Sequence, residues 1–216
     1  MPTPHRQLVI FDCDGVLVDS ETLGNRVIAD TVRELGVPMT FEESIRRFRG
    51  LKMSEVVLAI EHLLGYTLPE SFVPGLRARM AVLFNRELRA VEGIEPVLDA
   101  LPMPYCVASN APMEKIRLTL GVTGLLPRFE GRIFSAYEVN VWKPDPGLYL
   151  HAARAMDTAP AGCVVVEDSV PGVRAGVAAG MRVLGFAPAG EGSDLESQGA
   201  ELFSSMSGLI RLVSRL

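Results

Sequence analysis

The stretch Leu8-Val9-Ile10-Phe11-Asp12-Cys13-Asp14-Gly15-Val16 decides how the chain is read. Four apolar residues without alternation fit a strand buried on both faces, as in a parallel sheet. Two acids and a glycine then break the run. Similar apolar runs recur at 105–108, 163–166 and 181–186, with helical patterns between them. Asp145 and Pro146 supply an N-cap and an N1 proline for a helix over 147–156, and Ser169 can cap a helix over 170–179. This punctuation predicts an α/β fold with a parallel sheet.

The segment after the first acids differs. Helical stretches at 21–35, 41–49, 53–64 and 71–88 follow one another without a strand, and Thr40 with Glu43 makes a capping box for the second. A helical block placed directly after a first strand reads as an inserted cap. The expected organisation is a Rossmann-like core of residues 1–17 and 89–216 and a helical cap domain of residues 18–88, with hinges near 16–19 and 89–93.

Composition narrows the function. The 216 residues are 48% apolar and 22% charged, enough to bury a sizeable core. Lys and Arg number 21 against 26 Asp and Glu, and the net charge of -5 argues against a nucleic-acid surface. Cys13, Cys106 and Cys163 are too few and too scattered for a disulfide framework or a zinc site. No membrane span or signal peptide is evident. The expectation is a cytoplasmic monomer acting on a small molecule.

Four short motifs follow strand patterns and would gather at the C-terminal edge of one sheet, where open α/β sheets bind ligands. Asp12 and Asp14 repel each other unless a cation lies between them, and Mg2+ is the hard, oxygen-seeking choice; Asp14-Gly15 is also a turn signal in its own right. Ser109-Asn110, before a helix near Pro112, makes an anion site or a plain cap. Lys143, in Trp142-Lys143-Pro144-Asp145-Pro146, is aimed by its prolines or is a solvated lysine. Glu167-Asp168-Ser169 offers carboxylates or helix capping. Singly each has a bland reading. Their convergence on one edge favours a site.

In order and spacing these motifs resemble the haloacid dehalogenase superfamily: DxDGV from Asp12, SN from Ser109, KPDP from Lys143 and EDS from Glu167. The resemblance implies a Rossmann-like core with a small helical cap that closes over substrate. It further implies Asp12 as nucleophile, Asp14 as general acid/base holding a proton at the start, and Lys143, Ser109 and the Asn110 backbone as clamps on the phosphoryl group. Mg2+ would be held by Asp12, the Asp14 backbone carbonyl and Asp168, with Glu167 acting through water. An acid at Asp14 points to phosphoryl transfer, because dehalogenases of the superfamily need none there.

Within the superfamily the motifs are shared by beta-phosphoglucomutase, where a histidine beyond an Asp-Ser/Thr pair helps position the acid/base. The matching residue after Asp19-Ser20 is Gly24, which favours transfer to water over a mutase. A non-catalytic phosphate-binding protein is the remaining alternative. Arg49, Gly50 and Lys52 form a basic turn between cap helices, suited to a substrate with an anionic group beyond its phosphate, while Arg46 and Arg47 read as a solvated face. The strings from Arg47 to Lys52 and from Trp142 to Pro146 are similar to bacterial phosphatases acting on 6-phosphogluconate. His5, His62 and His151 read as surface or packing residues, Cys13 as non-catalytic, and Trp142 as packing beside Lys143.

Overall fold

The computed structural model describes residues 7–48, 51–188, 190 and 192–213. It divides into two compact units, one of residues Met1–Val18 with Ala90–Leu216 and one of residues Asp19–Arg89.

The larger unit is built on a six-stranded parallel sheet. Its strands are β1 (Leu8–Phe11), β2 (Tyr105–Ser109), β3 (Ile133–Ser135), β4 (Cys163–Glu167), β5 (Arg182–Phe186) and β6 (Glu201–Phe203), in the order β3-β2-β1-β4-β5-β6. β1 is fully buried and central, with Ile10 facing Cys106 on one side and Val165 on the other. The chain reverses its direction of sheet-building between β1 and β4, and that switch point is where ligands of such sheets bind.

The α/β class read from the sequence is the one observed, and two details differ. β3 and β6 carry no apolar run long enough to signal a strand: each has three residues, partly exposed, at a sheet edge. β2 and β4 also extend one residue further than their apolar runs, so that Ser109 and Glu167 are the last residues of their strands. Glu167 pairs with Gly185 in the register of β5, which draws its side chain into the interior.

Helices flank the sheet. Ser169 caps Val170–Ala178 by accepting from the Gly172 N–H. Gly147–Ala155 starts one residue later than the proline spacing suggests, because Pro146 is the residue before the helix, although the Asp145 carboxylate accepts from the Gly147 N–H at 2.7 Å. Ile94–Ala100 packs against Met206–Val213. No helix among the described residues is long and apolar enough to cross a membrane.

The smaller unit consists of the helices Ser20–Glu34, Phe41–Phe48, Met53–Leu64 and Phe72–Glu87, with no strand among its described residues. The capping box forms: the Thr40 N–H donates to Glu43 at 2.9 Å and the Glu43 N–H donates to Thr40 Oγ1 at 3.1 Å. The Ser20–Glu34 helix packs on both Phe41–Phe48 and Phe72–Glu87. Ser44 donates to the Asn25 carbonyl at 3.0 Å, fixing the first of these contacts.

Close packing of helix on sheet depends on Gly176. A Cβ there would lie 2.6 Å from Val183 Cγ2, and the strand behind that stiff side chain has no room to retreat. Gly176→Ala gains about 1 kcal/mol of helix propensity and loses about 1–3 kcal/mol to overpacking. Urea denaturation is expected to show a net loss of up to about 2 kcal/mol.

Candidate active site

The site lies at the C-terminal edge of the sheet within the larger unit. Asp12 leaves β1 alongside β4, its N–H donating to the Val166 carbonyl at 2.9 Å. Lys143 Nζ reaches Asp12 Oδ1 at 2.5 Å and Glu167 Oε1 at 2.6 Å, and all three residues are buried. The lysine is held at its backbone as well. Its N–H donates to Asn110 Oδ1 at 2.9 Å, and its carbonyl accepts from Asn110 Nδ2 at 3.3 Å. Asn110, expected to act through its backbone, thus uses its side chain to pin the Lys143 segment.

Glu167 is saturated with donors. Oε1 accepts from Lys143 and from the Tyr149 hydroxyl at 2.8 Å, while Oε2 accepts from the Asp168 and Ser169 N–H groups, each at 3.0 Å, and from Ser169 Oγ at 2.8 Å. The Tyr149 ring also lies under the ammonium, with its centroid 4.8 Å from Nζ. Ser109 is buried, and its Oγ accepts from the Ala111 N–H at 3.1 Å. Gly15 and Gly172 bring backbone against the acids: a Cβ would lie 2.0 Å from Asp168 Oδ2 at the first and 1.7 Å from Glu167 Oε1 at the second.

The charges sort themselves by these contacts. Burial would depress the Lys143 ammonium, but Asp12 and Glu167 overcome it and hold its pKa above the usual lysine value. Burial would raise Glu167, yet Lys143 and the surrounding donors keep it below the usual carboxylate range. Asp12 has fewer donors. Burial, reinforced by Glu167 and Asp14 and opposed by Lys143, pushes its pKa up to about 7. One cation between two carboxylates leaves the poorer-satisfied acid to take the proton.

Two members of the site were absent from the sequence reading. Tyr149 lies on the Gly147–Ala155 helix, and burial followed by the nearby carboxylates raises its pKa well above the usual phenol value, so it remains an O–H donor. Lys115 Nζ donates to Asp14 Oδ2 at 2.9 Å. Burial would lower Lys115, and Asp14 more than offsets this. A cation beside Asp14 attracts its anionic form, which bears on the expectation that this acid starts protonated. Both residues had faint sequence signals. A buried tyrosine needs a partner for its hydroxyl, and a lysine in the first turn of Met113–Val122 opposes the helix dipole.

Other expectations resolve simply. Arg49, Gly50 and His5 lie outside the described residues; Lys52 is exposed, its N–H donating to Glu55 at 2.9 Å. His62 is exposed, and His151 stacks edge-on against Phe134 at 5.7 Å. Trp142 packs against Tyr137 and the hydrophobic core. The Cys13 thiol is buried beside Thr119 and pushed well up by burial and by the two acids, so it is no thiolate nucleophile.

The donor set suits a hard cation. Asp12, Glu167 and Asp168 each have an oxygen within 4.8 Å of the others; protein donors already take both Glu167 oxygens, so Asp12 and Asp168 are the acids placed to meet an ion directly, and oxygen ligands are what Mg2+ takes.

A model of the haloacid dehalogenase-like hydrolases matches residues 7–180. The chain belongs to that family. It is 40% identical over 183 residues to the 6-phosphogluconate phosphatase of Escherichia coli K12, covering 83% of this chain and 82% of the relative. Among solved structures, a haloacid dehalogenase-like protein from Agrobacterium tumefaciens superposes with a TM-score of 0.85 at 33% identity, covering 97% of this chain and 98% of that one. A hydrolase of the family from Deinococcus radiodurans, solved with bound phosphate and sodium, superposes with a TM-score of 0.82 at 29% identity, covering 99% and 97%.

The charge sorting has a measurable consequence. Because Asp12 titrates near 7 when folded and near 3.8 when unfolded, the native state holds the extra proton between these values. Stability therefore falls as pH rises through that window. Asp12→Asn removes the term. Urea denaturation in EDTA is expected to find the variant about 1–4 kcal/mol more stable than the parent at pH 8, with the gap closing towards pH 4.

Proposed function

We propose that the protein is a Mg2+-dependent phosphomonoesterase acting on a sugar phosphate or sugar-acid phosphate, with 6-phosphogluconate as the leading substrate. The observation that carries this reading is the buried Asp12–Lys143–Glu167 group, which presents one carboxylate beside a fixed ammonium at the switch point of the sheet. The 40% identity to a phosphatase of that substrate supports the same class.

In this reading an Asp12 oxygen attacks phosphorus. The P–O bond to the leaving group breaks as the Asp12–phosphorus bond forms, and Asp14 gives its proton to the departing alkoxide. Asp14, again a carboxylate, then takes a proton from water as that water attacks phosphorus. Phosphate leaves and Asp12 is regenerated. Lys143 offsets the repulsion between anionic nucleophile and anionic ester, and Ser109 with the Asn110 backbone steadies the phosphoryl oxygens. The Lys115 contact suits the second step, in which Asp14 works as an anion. Mg2+, held by Asp12, Asp168 and the Asp14 carbonyl, would supply charge neutralisation at the phosphoryl oxygens, while Glu167, expected to act through water, has both oxygens taken by protein donors and serves by fixing Lys143.

Phosphate release from a panel of esters tests the class. Activity on 6-phosphogluconate with Mg2+, its loss in EDTA and its abolition in Asp12→Asn are expected, with trapped aspartyl-phosphate in the parent enzyme. Near-normal turnover by the Asn variant would remove Asp12 from its role.

The basic turn read from the sequence at Lys52 favours a substrate carrying a second anionic group. Lys52→Ala is expected to raise KM for 6-phosphogluconate about threefold to tenfold while changing KM for an uncarboxylated hexose phosphate less than about twofold. Equal changes on both would count against charge-based selection.

A further inference from the structure

Tyr149 constrains the Lys143 ammonium by two routes, one direct and one through Glu167. Its ring face lies 4.8 Å from Nζ, and its hydroxyl donates at 2.8 Å to Glu167 Oε1, the oxygen that also receives Nζ at 2.6 Å. The residue is fully buried among core side chains, so neither contact is shared with solvent. It lies six residues beyond Lys143, on the helix that the Lys143 loop enters. The backbone of Lys143 is fixed by Asn110, but a lysine side chain has four rotatable bonds beyond it. Carboxylate contacts alone leave the ammonium room to swing between two acceptors. A ring beneath it and a second donor on one acceptor remove that freedom.

We infer that Tyr149 is a positioning residue for Lys143, holding its ammonium at the point where the phosphoryl oxygens develop charge. The inference rests on the phosphatase reading for what Lys143 faces. Tyr149 itself touches no substrate. Its effect belongs to the transition state, because an ammonium misplaced by a fraction of an ångström loses most where charge is greatest. Ground-state binding should change little.

Two variants separate the routes. Tyr149→Phe keeps the ring and deletes the hydroxyl, while Tyr149→Leu deletes both. With p-nitrophenyl phosphate and saturating Mg2+, Tyr149→Phe is expected to lower kcat about tenfold with KM unchanged within about twofold, and Tyr149→Leu about a further tenfold. The inhibition constant of orthovanadate, which mimics the five-coordinate phosphorus, should rise in step with the loss of kcat. That of inorganic phosphate should move less than about twofold.

A purely structural role gives another pattern: a lower melting temperature with kcat per folded molecule and vanadate affinity intact, and this overturns the inference. A rise in KM alone overturns it too. Should the unmodified protein release phosphate from no ester, the phosphatase reading falls first. Calorimetric vanadate binding then decides the inference without turnover: about tenfold weaker binding by Tyr149→Phe supports it, and unchanged binding ends it.

Discussion

The buried ammonium of Lys143 is the constraint on which the rest of the site depends. A lone charge in a protein interior costs several kcal/mol even after relaxation, so it persists only where opposite charge meets it with good geometry. Here the geometry is assembled from distant parts of the chain. Asp12 follows β1, Asn110 follows β2, Glu167 ends β4, and the lysine arrives on a loop between β3 and the Gly147–Ala155 helix. Only a sheet with β1 central and β2 and β4 on either side brings these together. The strand order is therefore a condition for the charge group, and the charge group in turn ties the strand ends.

The two carboxylates that share Lys143 are chemically unequal, and the inequality is useful. Glu167 receives five donors, and with Lys143 beside it its pKa is held below the usual value despite burial, so it stays charged. Asp12 is raised to about 7 by burial and by its acidic neighbours. The acid with more donors is fixed as a counter-ion, and the one with fewer keeps lone-pair capacity for a reaction once ionised. In the proposed reaction that difference makes Glu167 the anchor and Asp12 the nucleophile.

Much of this was legible in the amino-acid sequence because parallel strands buried on both faces leave continuous apolar runs. The runs at β1, β2, β4 and β5 stood out for that reason, and acids and a hydroxyl after such runs pointed to one sheet edge. β3 and β6 did not, since short edge strands with exposed positions carry no distinctive pattern. Tyr149 and Lys115 carried only faint signals, and no signal named the partners of Asn110, Tyr149 or Lys115. Each contact joins residues 33, 18 or 101 positions apart, and only tertiary packing selects such partners. Residue type announced that charges were present; it could not say that Glu167 would spend both oxygens on protein donors.

Those donors bear on why a divalent cation belongs in the proposed reaction. Lys115 balances Asp14 one for one, whereas Lys143 faces Asp12 and Glu167 together. Asp168 lies close enough to share an ion with that second group. A phosphate monoester carries up to two negative charges of its own, so its approach to Asp12 adds repulsion to a group already short of positive charge. The glycines sharpen the problem: with Gly15 against Asp168 and Gly172 against Glu167, no larger side chain, and hence no further protein cation, fits at either position. In the proposed reaction a small ion with oxygen ligands would neutralise the site without filling it, and Lys143 would then act on the phosphoryl group instead of merely balancing its neighbours.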